Sequence, residues 1–256
     1  MDREKLSQLF DLTGRTAVVT GGTRGIGRAL AEGYAAAGAH VVVASRKADA
    51  CAETQAHLES MGAEALGVPT HLGDLNSLDA LVAATVERFG GIDILVNNAA
   101  NALTQPVGAF TPEGWQKSVD VNMRGPMFLT QAALPYLDES EHAAVLNVIS
   151  AGAFLFSAGM SIYSATKAAM MSFTRSAAGA LVHRGIRVNA LAPGTVDTDM
   201  IRNNPEEVQA SMKLAGLMRR AAEPDEMVGP ALLLTSDAGS FITGQVLHAD
   251  GGLVPG

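Results

Sequence analysis

The sequence contains one cysteine, Cys51, in 256 residues. An internal disulfide is impossible, so a packed core must hold the fold. Cys51 falls on a helix after a candidate second strand, with no basic group arranged to activate it, and reads as a packing residue. Aromatic residues are scarce, at 5% against 48% hydrophobic. The core must therefore come from Ala, Val, Leu and Ile, which suits a parallel sheet covered by Ala-rich helices. Positive charge is in deficit: 18 Lys and Arg against 26 Asp and Glu give a net charge of -8. That balance argues against general nucleic-acid or acidic-membrane binding. The six histidines include no HxxxH pair, and no metal site is expected. A long apolar run is also missing from the charged opening "MDREKLSQLF", which is no secretory signal. The uncharged stretch 143–166 is broken by Gly152 and Gly159 and carries Asn147, so it reads as a strand, a pocket-lining loop and a helix start rather than a membrane span. A soluble, cytoplasmic protein is expected.

Short apolar runs alternate with helical stretches throughout. "RTAVVT" (15–20), "HVVVAS" (40–45), "EALGVPT" (64–70), "IDILVN" (92–97), "AAVLNVIS" (143–150), "GIRVNAL" (185–191) and "GQVLHAD" (244–250) read as seven strands. With no linker or compositional break, this predicts one α/β domain over 1–256 after a short tail, 1–11. The sheet should be seven-stranded and mostly parallel, with right-handed crossovers placing helices on both faces. Two connections are too long. The helix expected over 112–137 contains Pro126, which should kink it. Residues 194–222 exceed a normal loop and read as a lid over a binding site.

"TGGTRGIG" (20–27) follows the first strand and opens the first long helix. Glycines there allow a sharp turn and close approach of backbone to a phosphate, and the helix N-terminus offers N–H groups to a pyrophosphate. An NAD site typically ends its second strand with an acidic residue. This strand ends "ASRK", and no carboxylate occurs between Glu32 and Asp49. Ser45, Arg46 and Lys47, with Arg24 from the glycine loop, suit a 2′-phosphate. NADP(H) is expected in preference to NAD(H), which stays possible.

"SIYSATK" (161–167) sets Tyr163 and Lys167 four positions apart, on one helix face. A free phenol has a pKa of roughly 10, and a nearby ammonium should lower it and ease proton exchange. Ser150, at the end of the fifth strand, could present its hydroxyl beside the tyrosine and polarise a carbonyl oxygen.

With "LGDL" (72–75), "NNAA" (97–100), "VN" (121–122), "RVNALAPGTVDT" (187–198) and the closing "DGG" (250–252), these motifs make the chain resemble the short-chain dehydrogenase/reductase family from about Leu12 onward. The resemblance implies a doubly wound Rossmann fold and a catalytic tetrad of Ser150, Tyr163, Lys167 and Asn122. Lys167 would also hold the nicotinamide ribose, and Asn122 a water linking that lysine to solvent. It implies a cofactor site of Gly21, Thr23, Arg24, Gly25, Ile26 and Gly27, then Ser45, Arg46 and Lys47. Asp74 and Leu75 would meet the adenine, and Asn98 and Ala99 would line the cleft. Pro193, Gly194, Thr195, Val196 and Thr198 would serve the nicotinamide end. A homotetramer is implied as well. Ala100 stands where the family often has glycine.

The substrate is less constrained. Ala151, Phe154, Phe156 and Met160 after Ser150, with Met200 in the lid, would form an apolar wall for a small or hydrophobic carbonyl or alcohol. Carrier-protein reductases of the family tend to dock an acidic carrier through basic residues. Here the corresponding positions are Leu129 and Gly179, with Arg124 and Arg175 nearby, which lowers the expectation of a 3-oxoacyl-carrier-protein substrate. A sugar or polyol remains open, and so does a non-catalytic nucleotide-sensing role on the same fold.

Overall fold

The computed structural model describes residues 1–156 and 159–254. Seven strands form one sheet: β1 Thr16–Thr20, β2 His40–Ser45, β3 Ala65–Pro69, β4 Ile94–Asn97, β5 Ala144–Val148, β6 Arg187–Pro193 and β7 Val246–Ala249. Their order is β3-β2-β1-β4-β5-β6-β7, and every pairing is parallel. The order reverses between β1 and β4, the switch point beside which a doubly wound sheet leaves a crevice at its C-terminal edge. The helices are α1 Arg3–Gln8, α2 Gly25–Ala36, α3 Ala48–Ser60, α4 Leu75–Phe89, α5 Pro112–Val119, α6 Gly125–Leu137, α7 Ser161–Leu181, α8 Asp199–Arg202, α9 Glu206–Leu214 and α10 Val228–Thr235.

The pleat divides the apolar strand residues between two cores. Ala17, Val19, Val41, Val43 and Val96 pack with Leu30, Tyr34 and Leu234, from the α2 and α10 side. Val18, Val42, Leu95, Val145 and Val188 face the other way, onto Leu78 and Leu81 of α4, Leu129 and Ala133 of α6 and Leu181 of α7. Because both faces are covered, the strands read as continuous apolar runs rather than alternating ones. Cys51 is sealed at 1% exposure, its thiol turned to the Ser45 and Val68 carbonyls, and burial pushes its pKa up.

The irregularity in the long helix differs from the expected proline kink. α5 runs into a π-helical turn over Asp120–Arg124, and α6 follows directly, with Pro126 in its first turn. The chain is helical through the junction, so Pro126 removes one N–H from a continuous helix right where the ladder has just been widened. The widened turn carries Asn122 and buries it at 1% exposure. Single π turns inside α-helices frequently mark functional sites.

The 194–222 segment folds as α8 and α9 and then returns, bridging Val196 to Ala222. It is tied down at both ends. The Thr195 hydroxyl donates to the Met212 carbonyl at 3.0 Å, and the Met218 N–H donates to the Gly251 carbonyl at 2.9 Å.

Candidate active site

The glycine loop closes around a backbone cradle. Gly21 has φ +67°, a conformation that favours glycine. A Cβ on Gly27 would lie 2.2 Å from the Gly21 carbonyl oxygen and 2.4 Å from Asn98 Nδ2, so only glycine fits. Asn98 Nδ2 donates to the Thr20 carbonyl at 2.8 Å. The buried Thr20 hydroxyl accepts from the N–H groups of Asn98 and Ala99 and donates to the Val96 carbonyl. Thr20, at the end of β1, thus locks the β4 exit to the glycine loop. α2 has no side-chain cap and no acidic residue in its first turn, so its N-terminal N–H groups and positive dipole end remain available to an anion. By contrast, Asp74 caps α4 by accepting from the Asn76 N–H at 3.1 Å. Its carboxylate is exposed and engaged in the helix start, with Leu75 half-buried behind it. Thr23 and Ile26 are half-buried in the loop.

Ser45 is half-buried at the end of β2, and Arg46 and Lys47 follow it, exposed. Among the described residues neither cation has a carboxylate within ion-pair distance. At the other end of the crevice, Pro193 and Val196 are buried, and Gly194 and Thr198 are half-buried. Gly194 lies so close to Asp250 that a Cβ would meet its Cα at 2.7 Å.

Ser150, Tyr163 and Lys167 converge at the C-terminal end of β5. Ser150 caps the short turn Ala151–Ala153, its hydroxyl accepting from the Gly152 N–H at 3.0 Å. Lys167 is buried at 4% exposure on α7. Its Nζ donates to the Val148 carbonyl at 2.7 Å and lies 5.7 Å from the Tyr163 ring centre. Burial lowers the ammonium pKa to about 8. Burial raises the phenol of Tyr163, and the Ser150 side chain is the neighbour that opposes the rise. The net shift is therefore upward rather than the lowering expected from Lys167, with desolvation of the phenolate as its largest cause.

Asn122 does not touch these groups directly. Its side-chain carbonyl accepts from the Asn101 N–H at 2.8 Å, and its Nδ2 donates to the Asn101 carbonyl at 2.9 Å. The same Nδ2 reaches the Thr166 hydroxyl at 3.3 Å, which donates to the Tyr163 carbonyl at 2.7 Å. Asn101, Thr166 and Thr20 were missed as site residues, although each stands in or beside a motif that was read. Deeper still, Asn97 Nδ2 donates to Thr130 and to Asn147, and Asn147 donates to Thr174. This buried polar chain joins β4, β5, α6 and α7 beneath the site.

The apolar wall is only partly assembled. Met160 is half-buried, Phe154 and Met200 are partly exposed, and Phe156 is fully exposed. Ala151 is buried beneath its turn and presents no surface to a ligand. Ser157 and Ala158 of the same loop lie outside the described residues. Phe154 instead meets His248 of β7, ring centres 4.5 Å apart. Of the carrier-docking positions, Leu129 is a core residue with no exposure, and Arg124 bonds to the Gly73 carbonyl. No group of three or more metal-ligating side chains occurs among the described residues, and no helix among them is long and apolar enough to cross a membrane.

A family model described as Enoyl-(Acyl carrier protein) reductase matches residues 21–254. The human "Dehydrogenase/reductase SDR family member 4" is 38% identical over 244 residues, covering 94% of this chain and 88% of the relative. "Galactitol 2-dehydrogenase" of Agrobacterium fabrum is 37% identical over 253 residues, covering 94% and 98%. The structure of a 3-oxoacyl (acyl-carrier-protein) reductase from Agrobacterium tumefaciens with NADP bound superposes with a TM-score of 0.89 at 35% identity, covering 96% of this chain and 97% of that one. Match, order of motifs and sheet topology agree: the chain belongs to the short-chain dehydrogenase/reductase family, oxidoreductases that act on carbonyl and alcohol groups with NAD(P).

Proposed function

We propose that the protein interconverts a carbonyl and a secondary alcohol on a small or hydrophobic substrate, with NADP(H) as its cofactor. The observation that carries this reading is the meeting of Tyr163, Ser150 and the buried Lys167 at one sheet edge, next to a glycine cradle that a single Cβ would fill. The bound dinucleotide supplies or accepts the hydride. The chain's own residues manage the oxygen. Tyr163, kept protonated by burial, donates its phenolic proton to the carbonyl oxygen during reduction. Ser150 donates a hydrogen bond to the same oxygen as negative charge grows there. Lys167 carries a positive charge below about pH 8 and offsets the negative charge left on the phenol. Asn122 keeps Asn101 and Thr166 in place behind the tyrosine.

The residues fit a 2′-phosphorylated dinucleotide. The uncapped end of α2 suits the pyrophosphate, and Arg46 and Lys47, without an ion-pair partner among the described residues, suit the extra phosphate. NADP in the Agrobacterium tumefaciens relative supports the assignment. A carrier-bound acyl substrate has less support, because Leu129 is buried and Arg124 is occupied. A polyol is the second reading, favoured by the galactitol dehydrogenase relative and by His248, a polar group against Phe154. We assign the protein to the cytoplasm as a homotetramer. Exposed Trp115 on α5 and Phe128 on α6 supply apolar surface for such an assembly to cover.

The deciding experiment is a screen of ketones, diketones, 3-oxoacyl thioesters and polyols, in both directions with NADPH/NADP and NADH/NAD, on wild type and Tyr163→Phe. Turnover in the wild type that collapses in the variant is expected. A variant with near wild-type turnover overturns the mechanism.

A further inference from the structure

Sequence alone places no carboxylate near the three cations of the adenosine side, but the fold brings one from the lid. Asp199 opens α8, and its Oδ2 lies 3.6 Å from Arg24 Nη1. The approach is built in. Thr198, the cap of α8, sits against the glycine loop, its Cγ2 3.1 Å from where a Cβ on Gly25 would stand. The neighbouring lid carboxylate, Asp197, is taken by Arg202 at 3.0 Å. Asp199 has no cation other than Arg24 within ion-pair distance among the described residues. Arg24 is in turn the one member of the Arg24, Arg46, Lys47 set to have a partner among those residues. The Arg24 side chain is itself 71% exposed, so it has room to turn away.

We propose that Asp199 is a specificity-determining residue that sets the strength of NADP(H) selection by occupying Arg24 with an internal carboxylate. The inference rests on the cofactor reading above. A 2′-phosphate carries nearly two negative charges and offers more acceptor oxygens than a carboxylate, so it wins the guanidinium, but only after displacing Asp199. A cofactor lacking that phosphate leaves the pair intact and feels no competition. Asp199 therefore narrows the gap between the two cofactors, and its removal should widen it.

Cofactor fluorescence titration of the full chain tests this by binding alone, for wild type, Asp199→Asn, Arg24→Ala and the double variant. Asp199→Asn should tighten NADPH by about two- to fivefold, the span of an exposed ion pair, while NADH stays unchanged. In the Arg24→Ala background the same change should have no effect on NADPH. Equal tightening of both cofactors, tightening that persists without Arg24, or no tightening at all overturns the inference. An Arg24→Ala protein that binds NADPH as well as wild type also overturns it, whereas NADPH binding left unchanged by Arg46→Ala with Lys47→Ala sinks the cofactor reading itself, which separates the two failures.

Discussion

Asn122 grips Asn101 by both backbone groups, accepting from its N–H at 2.8 Å and donating to its carbonyl at 2.9 Å. One buried amide thus fixes the strand exit that borders the cofactor crevice, from a helical turn widened to reach it. Asn122→Ala leaves two backbone groups of the half-buried Asn101 without their partner, a loss of about 1 kcal/mol or more. The expected result is a lowered Tm together with a lowered kcat, read by thermal unfolding and steady-state assay. Asn122→Asp, which cannot donate to the Asn101 carbonyl when ionised, should not restore either.

On the proposed mechanism, Tyr163→Phe removes the proton donor and little else. Turnover should fall by roughly 10²- to 10⁴-fold, the usual size of general acid catalysis. Tm and NADPH affinity should stay close to wild type, and circular dichroism with a binding titration checks both.

The buried Lys167 ties catalysis to pH. On the proposed mechanism its ammonium helps reduction and is lost as pH rises through about 8, so kcat/KM for carbonyl reduction should fall along an alkaline limb near that value. Stability moves the other way. The folded-state pKa lies below the ordinary 10.5, so the unfolded chain binds more protons between the two values, and stability rises across that window. The penalty below about pH 8 is roughly 3 kcal/mol. The Tm difference between wild type and Lys167→Met should therefore shift in favour of wild type from pH 7 to 9.5.

Gly27→Ala forces a methyl into 2.2 Å of the Gly21 carbonyl, and neither that backbone nor Asn98 can yield without opening the cradle. NADPH binding should drop at least tenfold, about 1.4 kcal/mol or more. Calorimetric titration checks it; unchanged affinity would mean that the loop does not hold the dinucleotide.

Arg46→Ala with Lys47→Ala should weaken NADPH by about tenfold or more while sparing NADH, because phosphate contacts are charge-assisted. Parallel loss for both cofactors would move the 2′-phosphate elsewhere.

The strands were legible because a sheet buried on both faces writes itself as apolar runs such as "HVVVAS", bounded by glycine and polar turns. The glycine loop and the Tyr163–Lys167 spacing were legible because they obey local geometry, one turn or one helix start at a time. The π turn was not. Pro126 signals an irregularity, but the widening sits before it, around Asn122, whose partner Asn101 lies in another segment. The direction of the Tyr163 shift is hidden for a similar reason: spacing shows that a cation is near, whereas the net shift depends on how much water the fold removes from the phenol. The Arg24–Asp199 pair could not be read at all, since no local pattern links the glycine loop to the 194–222 segment.

The sealed position of Cys51 makes this chain convenient to instrument. With its thiol buried between β2 and α3 and its pKa raised, the native protein should leave thiol-directed reagents almost unreacted. A cysteine placed at the exposed Val208 on α9 would then be the sole reactive handle, so a single fluorophore could follow movement of that helix during turnover without first removing a native thiol.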